Sequence, residues 1–263
     1  MSVEFTASWI LPLLLLGFAV GLMVAMFGGG GGFFYVPALT LLFHVPTQFA
    51  VATSLASIIP TTISGSVSHY RRGNLNIPVG IAFGTGGIIG ALIGAYVSTL
   101  ISAAFLEKLF GVFMIILTIP MLFSTRRRGR SDANTEEASP SLTWASKAMS
   151  AVFGILSGAM AGLFGVSGTP PVIAGLYIMG LPATMVVGTS VFVLLFNAIS
   201  GLFGHLALGQ INLMLTLFLA LGAAAGAFLG PRFLGRIKTP TLEKVYGPLF
   251  MVMVITLGVV MIL

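Results

Sequence analysis

The stretch ILPLLLLGFAVGLMVAMFGGGGGFFYVPALTLLF, residues 10–43, is an apolar run that five consecutive glycines interrupt before it resumes. Crossing about 30 Å of hydrocarbon takes about 20 apolar residues in a helix. Five glycines break a helix, because each costs about 1 kcal/mol relative to alanine. The run from Ile10 to Phe27 is too long for the core of a signal peptide, so we interpret it as a retained first membrane helix.

The composition extends this interpretation to the whole chain. Of the 263 residues, 57% are hydrophobic and only 7% are charged, so a water-covered globule is excluded. The continuous apolar runs differ from the alternating pattern of a membrane barrel, which leaves helices as the spanning element. We expect an all-α polytopic membrane protein with 8–10 membrane segments. The ten apolar segments lie at 8–27, 33–44, 47–69, 77–100, 104–122, 147–166, 171–180, 182–206, 212–234 and 243–263.

Several classes of chemistry are excluded or disfavoured by residue content. Cysteine is absent, which excludes disulfides, thiolate metal sites and a cysteine nucleophile. No metal and no cofactor are expected. The formal net charge of +6 does not indicate nucleic acid, because the basic residues lie in short loops at helix ends.

The chain repeats itself with a constant shift of 136 residues. Pairs of identical residues include Pro46 with Pro182, His69 with His205, and Asn76 with Asn212. We therefore predict two tandem homologous repeats of about five helical segments each. The predicted boundaries are 1–123 for the first repeat, 124–146 for a polar linker that contains four arginines, and 147–263 for the second repeat.

The distribution of Lys and Arg favours an inverted arrangement of the two repeats. If the short segments 33–44 and 171–180 cross the membrane, eleven basic residues lie on one side and only Lys108 on the other. If these segments dip in and return, the repeats are parallel and the division is seven against five. We expect the inverted arrangement, with the Arg-rich linker 124–146 in the cytoplasm, although the short segments could be tilted or partly re-entrant.

The glycine run and its counterpart in the second half predict a binding site. Gly28, Gly29, Gly30, Gly31 and Gly32 are matched by residues 165–171, GVSGTPP, so both halves carry a helix break at the same place. A break in a membrane is tolerated where the backbone lines a cavity or is buried, and the following helix N-terminus suits anions. Matched breaks commonly mark a transporter's substrate site. The alternative is a tight turn or close helix packing.

Polar residues within the apolar segments supply further candidates. The segments after Pro46 and Pro182 carry hydroxyl and amide groups that could bind a substrate, or could instead bond their own helix. His69 and His205 lie at helix ends, where they could gate the pathway or cap a helix. Together with the breaks, the candidate substrate-binding residues are Gly28, Gly29, Gly30, Gly31, Gly32, Thr53, Ser54, Ser57, Thr61, Ser167, Gly168, Thr169, Thr189, Ser190 and Asn197.

The charged residues of the predicted segments lie close to segment ends, and none lies in the middle of a span: they are Glu107, Lys108, Lys147, Arg232, Glu243 and Lys244. Proton- and sodium-driven pumps usually keep a carboxylate in the membrane. Anion binding would thus rest on neutral donors and helix dipoles, which favours facilitated flux or exchange unless His69 or His205 provides coupling.

These motifs together resemble those of the TauE/SafE family of membrane transporters, also called sulfite exporters. The resemblance rests on the glycine break followed by Val36-Pro37, on Pro46-x6-Thr53-Ser54, on His69-x3-Gly73-x2-Asn76, and on their echoes in the second half. It implies transport of sulfite, sulfoacetate or other small sulfonates across the bacterial inner membrane. The expected partners are a small anionic substrate, the lipid bilayer and, as an open alternative, a second copy of the chain in a homodimer.

Three other functions remain open at this point. An anion-selective channel would share the same breaks, and a scaffold protein would need no transport site. The sequence Gly165-Val166-Ser167-Gly168 also resembles the motif of rhomboid intramembrane serine proteases, with His205 as the partner of Ser167. Against a protease, Ser167 belongs to one copy of a repeated break. No catalytic residue is therefore expected.

Overall fold

Glycine and proline divide the apolar chain into a series of helices. The computed structural model describes residues 6–27, 31–127, 144–234 and 252–263, and all regular secondary structure in these ranges is helical. The all-α prediction is therefore confirmed for the described residues. Gly28–Gly30 and residues 128–143, most of the predicted linker, lie outside them.

Within the described ranges, ten α-helices follow a short 3-10 turn at Ala7–Trp9. They are α1 Ile10–Phe27, α2 Gly32–Phe43, α3 Thr47–Arg71, α4 Ile77–Thr99, α5 Ala103–Arg127, α6 Trp144–Phe164, α7 Thr169–Ile178, α8 Ala183–Ala207, α9 Leu213–Leu234 and α10 Val252–Ile262. By length and composition, α3, α4, α6 and α8 could each cross a membrane along their described residues. Each of the ten predicted apolar segments overlaps one of these helices.

The helices α2 and α7 are too short to span a bilayer alone. They have 12 and 10 residues, which corresponds to about 18 and about 15 Å at 1.5 Å per residue. Each follows a helix break and precedes one of the longest helices, α3 or α8. These are the segments whose crossing the sequence left open, and each helix alone is about half as long as the hydrocarbon core is thick.

The repeated motif His-x3-Gly-x2-Asn forms the tight turns that join α3 to α4 and α8 to α9. Gly73 and Gly209 have φ angles of 71° and 67°, a left-handed conformation that glycine adopts without strain. Asn76 and Asn212 then accept hydrogen bonds from backbone N–H groups in the first turn of the next helix. The motif is thus a helix stop followed by a helix start.

Two pairs of helices are packed backbone to backbone at glycines. The pair α1 and α9 and the pair α4 and α6 run parallel, because the contact positions increase together along both helices. A methyl group at these glycines would overlap a carbonyl of the partner helix. Between α1 and α9, the glycines and the residues whose carbonyls they face are Gly17 and Leu219, Gly21 and Ala223, Gly222 and Leu14, and Gly226 and Phe18. Between α4 and α6 they are Gly154 and Phe83, Gly158 and Gly87, Gly86 and Ala151, and Gly90 and Ile155.

The helices α3 and α8 cross at the centre in opposite directions. Gly65 packs against Val191, and Gly201 packs against Leu55. Residues late in α3 therefore contact residues early in α8, and residues early in α3 contact residues late in α8. Both helices are largely buried, whereas α4 and α9 expose large apolar side chains such as Ile93, Leu217 and Phe228. In a membrane protein these outer faces are covered by lipid. The buried polar side chains of α3 and α8 therefore lie inside the bundle.

Candidate functional site

The two helix breaks meet inside the bundle. Gly32, the first residue of α2, packs directly on the backbone of Gly165 and Val166, so that a side chain at Gly32 would overlap both. Gly32, Gly165 and Val166 are all buried. The sequence predicted two matching breaks, and their described parts are in direct contact.

Glycine shapes the second break at two positions. Gly165 and Gly168 have φ angles of 67° and 69°, which reverse the chain between α6 and α7. A side chain at Gly168 would also overlap Ser157 of α6. The break is therefore held tightly against the helix that precedes it.

A chain of hydrogen bonds fixes the second break to α8. Asn197 Nδ2 donates to Ser157 Oγ at 2.7 Å, and Ser157 Oγ donates to the Gly168 carbonyl at 2.7 Å. Asn197 Nδ2 also lies 3.4 Å from the Ser167 carbonyl. The side chains of Asn197, Ser157 and Ser167 are fully buried, where a satisfied network is strong and an incomplete one is costly. The break is thus an ordered part of the interior.

One acceptor of this network has no hydrogen-bond partner. Asn197 Oδ1 is buried and unpaired, and it points at the Cα of Gly87, where any side chain would overlap it. A weak Cα–H···O contact is the interaction that this position allows. Gly87 therefore leaves the space that the Asn197 amide needs.

The helix α3 holds the second break from the other side. Ser54 Oγ donates to the Gly165 carbonyl at 2.8 Å, and the hydroxyls of Thr53 and Thr216 lie 3.4 Å apart. Thr53 and Ser54 are fully buried. The Ser54 hydroxyl of α3 and the Asn197 amide of α8 thus bond carbonyls of the same break, those of Gly165 and Ser167.

The helix N-termini at the two breaks differ in the donors that they offer. The first N–H groups of a helix have no partner within that helix. In α7, Pro170 and Pro171 have no N–H, so the first turn offers chiefly the N–H groups of Thr169 and Val172. The helix α2 begins with Gly32 and Phe33, which both carry N–H groups, while the Phe34 N–H donates to the Gly31 carbonyl at 2.9 Å. An anion would find more backbone donors at α2 than at α7.

The other predicted residues lie at several places. Ser57, Thr61 and Ser190 donate to carbonyls of their own helices, as the alternative interpretation of these hydroxyls stated. Thr189 Oγ1 accepts a hydrogen bond from the Asn76 backbone N–H at 3.0 Å, in the turn between α3 and α4. Gly31 is the residue that precedes α2 and is buried.

The two candidate gating histidines, His69 and His205, have different surroundings. Both ring nitrogens of His205 are bonded, Nε2 to the Gly162 carbonyl at 2.8 Å and Nδ1 to Gln210 Oε1 at 2.7 Å. His69 is partly exposed, and its Nδ1 has no partner. The Ser167 hydroxyl lies 2.8 Å from the Thr169 hydroxyl, so neither His205 nor Ser167 is arranged as the dyad of a serine protease.

Sequence reasoning missed Ser157 and Gly87. Both belong to the network around Asn197, but neither stands out in the apolar helices α6 and α4. The signal for Ser157 was a polar residue within an apolar helix, but it has no polar counterpart in the first half.

Comparison with known proteins assigns the chain to a family. A family model described as Sulfite exporter TauE/SafE matches residues 13–261. The probable membrane transporter protein YdhB of Bacillus subtilis (strain 168) is 31% identical over 236 residues, which cover 88% of this chain and 93% of that protein. The probable membrane transporter protein MJ0441 of Methanocaldococcus jannaschii is 28% identical over 269 residues, covering 96% and 97%. No solved structure matches the chain. Because the family match spans nearly the whole sequence, the protein belongs to the TauE/SafE family of multi-pass membrane transporters.

Proposed function

We propose that this transporter moves small sulfur-containing or organic anions, such as sulfite, sulfoacetate or other sulfonates, through the bundle at the two breaks. The observation that carries the proposal is the contact of Gly32 with Gly165 and Val166, surrounded by buried hydroxyl and amide groups. Broken helices at matching positions of two halves commonly form such a site.

Uncharged hydrogen-bond donors suit a transported anion, which must be released from the site after it binds. A fixed positive charge would hold an anion tightly, whereas hydroxyls and the free N–H groups at the start of α2 bind it more weakly. Ser54 and Asn197 already bond the break, so an anion would compete for the same donors. Binding would therefore loosen the contacts that hold the break to α3 and α8.

An inverted repeat is the arrangement that we propose for the two halves. The equivalent helices α3 and α8 run in opposite directions, and equivalent glycines of α1 and α6 contact equivalent carbonyls of α9 and α4. Both features support a two-fold axis in the membrane plane. Such an axis allows the site to face each side of the membrane in turn.

The same arrangement supports a location in the bacterial inner membrane with the linker in the cytoplasm. Arg71 and Arg72 end α3, and Lys147 lies in the first turn of α6. Since α4 and α6 run parallel, the start of α6 lies at the same end of the bundle as the turn between α3 and α4. Positive residues on one side are the mark of the cytoplasmic face.

The proposal is tested with purified protein in liposomes that contain unlabelled sulfoacetate. Uptake of labelled sulfoacetate should saturate and should be stimulated by the internal anion, because a carrier exchanges one bound anion for another. Flux that rises in proportion to concentration without exchange would identify a channel. No uptake of any sulfur anion by folded protein would remove the proposed substrate class.

A pair of equivalent serines tests the position of the site. Ser54→Ala removes the donor to the Gly165 carbonyl, whereas Ser190→Ala removes a bond within α8. We expect Ser54→Ala to change the KM for sulfoacetate or the exchange rate by about tenfold, the equivalent of about 1.4 kcal/mol. Ser190→Ala should change them by less than about twofold. Equal effects of the two substitutions would argue against a site at the second break.

A further inference from the structure

His205 occupies an environment that suits two protonation states. The ring is fully buried and lies between two oxygen atoms, the Gly162 carbonyl at 2.8 Å and Gln210 Oε1 at 2.7 Å. A neutral imidazole has one N–H and one lone pair, whereas an imidazolium has two N–H groups. Two acceptors at hydrogen-bond distance are both satisfied only by the imidazolium.

The neutral ring is satisfied by a small movement. If the Gln210 amide turns by half a rotation, its NH₂ group faces Nδ1, while Nε2 still donates to the Gly162 carbonyl. Gln210 is partly exposed in the turn between α8 and α9. The protein can therefore add or remove a proton at His205 without moving a helix.

No charged side chain of the described residues acts on this ring. Its interactions are with Gly162 of α6 and Gln210 of the turn, and its neighbour Gly204 packs on Ala95 and Leu92 of α4. The other histidine of this helix pair, His69, lies near Gly188 at the opposite end of α8. A proton on His205 is therefore an uncompensated positive charge inside the bundle.

A bound anion is the charge that can compensate it. Gly162 lies in the last turn of α6, and Gly165 follows directly in the second break. We propose that His205 is the proton-binding group of this transporter and that its proton moves together with the anion at the breaks. This inference rests on the proposed function and assigns it a coupling ion, for which the described helices carry no carboxylate other than Glu107 near the start of α5.

The first test measures accumulation of methanesulfonate in liposomes with a clamped membrane potential. Sulfonates stay ionised at neutral pH, so a pH gradient acts on the protein and not on the probe. We expect the wild-type accumulation ratio to rise about tenfold for each pH unit of gradient. His205→Gln retains a donor for the Gly162 carbonyl but cannot titrate, and its ratio should stay near one while anion exchange at equal pH persists.

His69→Gln is the matched control, since it makes the same chemical change at the equivalent residue of the first half. It should accumulate methanesulfonate as the wild type does. The proposal is overturned if His205→Gln follows the pH gradient like the wild type, or if the wild type exchanges anions but ignores the gradient.

A second measurement keeps the two proposals separate. In protein labelled with ¹⁵N-histidine, the three histidine signals can be assigned with His44→Gln and His69→Gln. The His205 signal should change from imidazolium to neutral as the pH rises from about 5 to 8, and Gln210→Glu should move this midpoint to higher pH. A His205 that stays neutral throughout overturns the proton site. A titrating His205 in a protein that moves no sulfonate counts against the proposed substrate alone.

Discussion

Substituting Ser157 by alanine should destabilise the protein more than the loss of one hydrogen bond suggests. Ser157 Oγ accepts from Asn197 Nδ2 and donates to the Gly168 carbonyl, both at 2.7 Å. Ser157→Ala therefore leaves two buried polar groups without their main partner. Each unpaired group costs about 1–3 kcal/mol in water-soluble proteins, whereas double-mutant cycles in a membrane protein average about 0.6 kcal/mol. We expect a loss of about 1–3 kcal/mol.

The same helix provides a matched control. Ser150 is equally buried, but its hydroxyl donates to the Ser146 carbonyl one turn earlier in α6 and lies 3.5 Å from Met179 Sδ, a weak acceptor. Such a bond within a helix adds little stability, so Ser150→Ala should cost less than about 0.5 kcal/mol. Each variant lacks one hydroxyl oxygen of the wild-type protein, and the two positions are seven residues apart in the sequence.

Reversible unfolding of purified protein in mixed detergent micelles measures both free energies. A double-mutant cycle with Asn197→Ala isolates the contact between the two side chains and should give a coupling above about 0.5 kcal/mol. If Ser157→Ala and Ser150→Ala have the same free energy of unfolding, the network does not stabilise the second break. Our account of how α8 holds that break would then be wrong.

Two further predictions concern backbone conformation and close packing. His44 ends α2 with a φ angle of 52°, so His44→Gly should raise the free energy of unfolding by about 1 kcal/mol; His44→Ala, which keeps the strain, should show no gain. Gly87→Ala places a methyl group on Asn197 Oδ1 and should lower stability by about 1–3 kcal/mol. Its control is Gly80→Ala on the same helix, where the methyl group would press on the partly buried Phe192 ring and not on a hydrogen-bonded amide. Equal losses would contradict a specific cost at the Asn197 amide.

The helices could be predicted from the sequence because their limits depend on local chemistry. Runs of apolar residues set the spans, and glycine, proline and asparagine set their ends. The match of Gly73 with Gly209 and of Asn76 with Asn212 marked two turns that the structure forms in the same way. The breaks were found for the same reason, since the residues that cause them are adjacent in the chain.

The network at the second break could not be predicted in this way. Asn197 and Ser157 are 40 residues apart, and nothing in either helix indicates which of its faces meets the other. Ser57 and Thr61 are also hydroxyl residues within an apolar helix, but their hydroxyls bond carbonyls of their own helix. Only the packing of α4, α6 and α8 separates a hydroxyl that holds the break from one that satisfies itself.

The two halves also diverge where the site lies, and this limits any inference from repetition. Thr53 and Thr189 are equivalent in sequence, yet Thr53 faces Thr216 and Thr189 accepts from the Asn76 backbone. The glycines between paired helices recur in both halves because each copy of that contact excludes a side chain. Polar groups at the breaks do not have to recur in both halves, because the polar groups of one half are enough to form a single binding site.

This difference predicts how the two ends of a transport cycle compare. In the conformation seen here, the second break is held by Ser54, Ser157 and Asn197. The residue equivalent to Ser157, counted from the matched contacts of Gly17 and Gly154, is Val20, which has no hydroxyl to offer the first break. In an inverted repeat, either break could be the one that is held in place, but the first break has fewer side chains available to hold it than the second. The two orientations of the site should therefore differ in free energy, and anion binding would shift the populations of the two states by its difference in affinity for them.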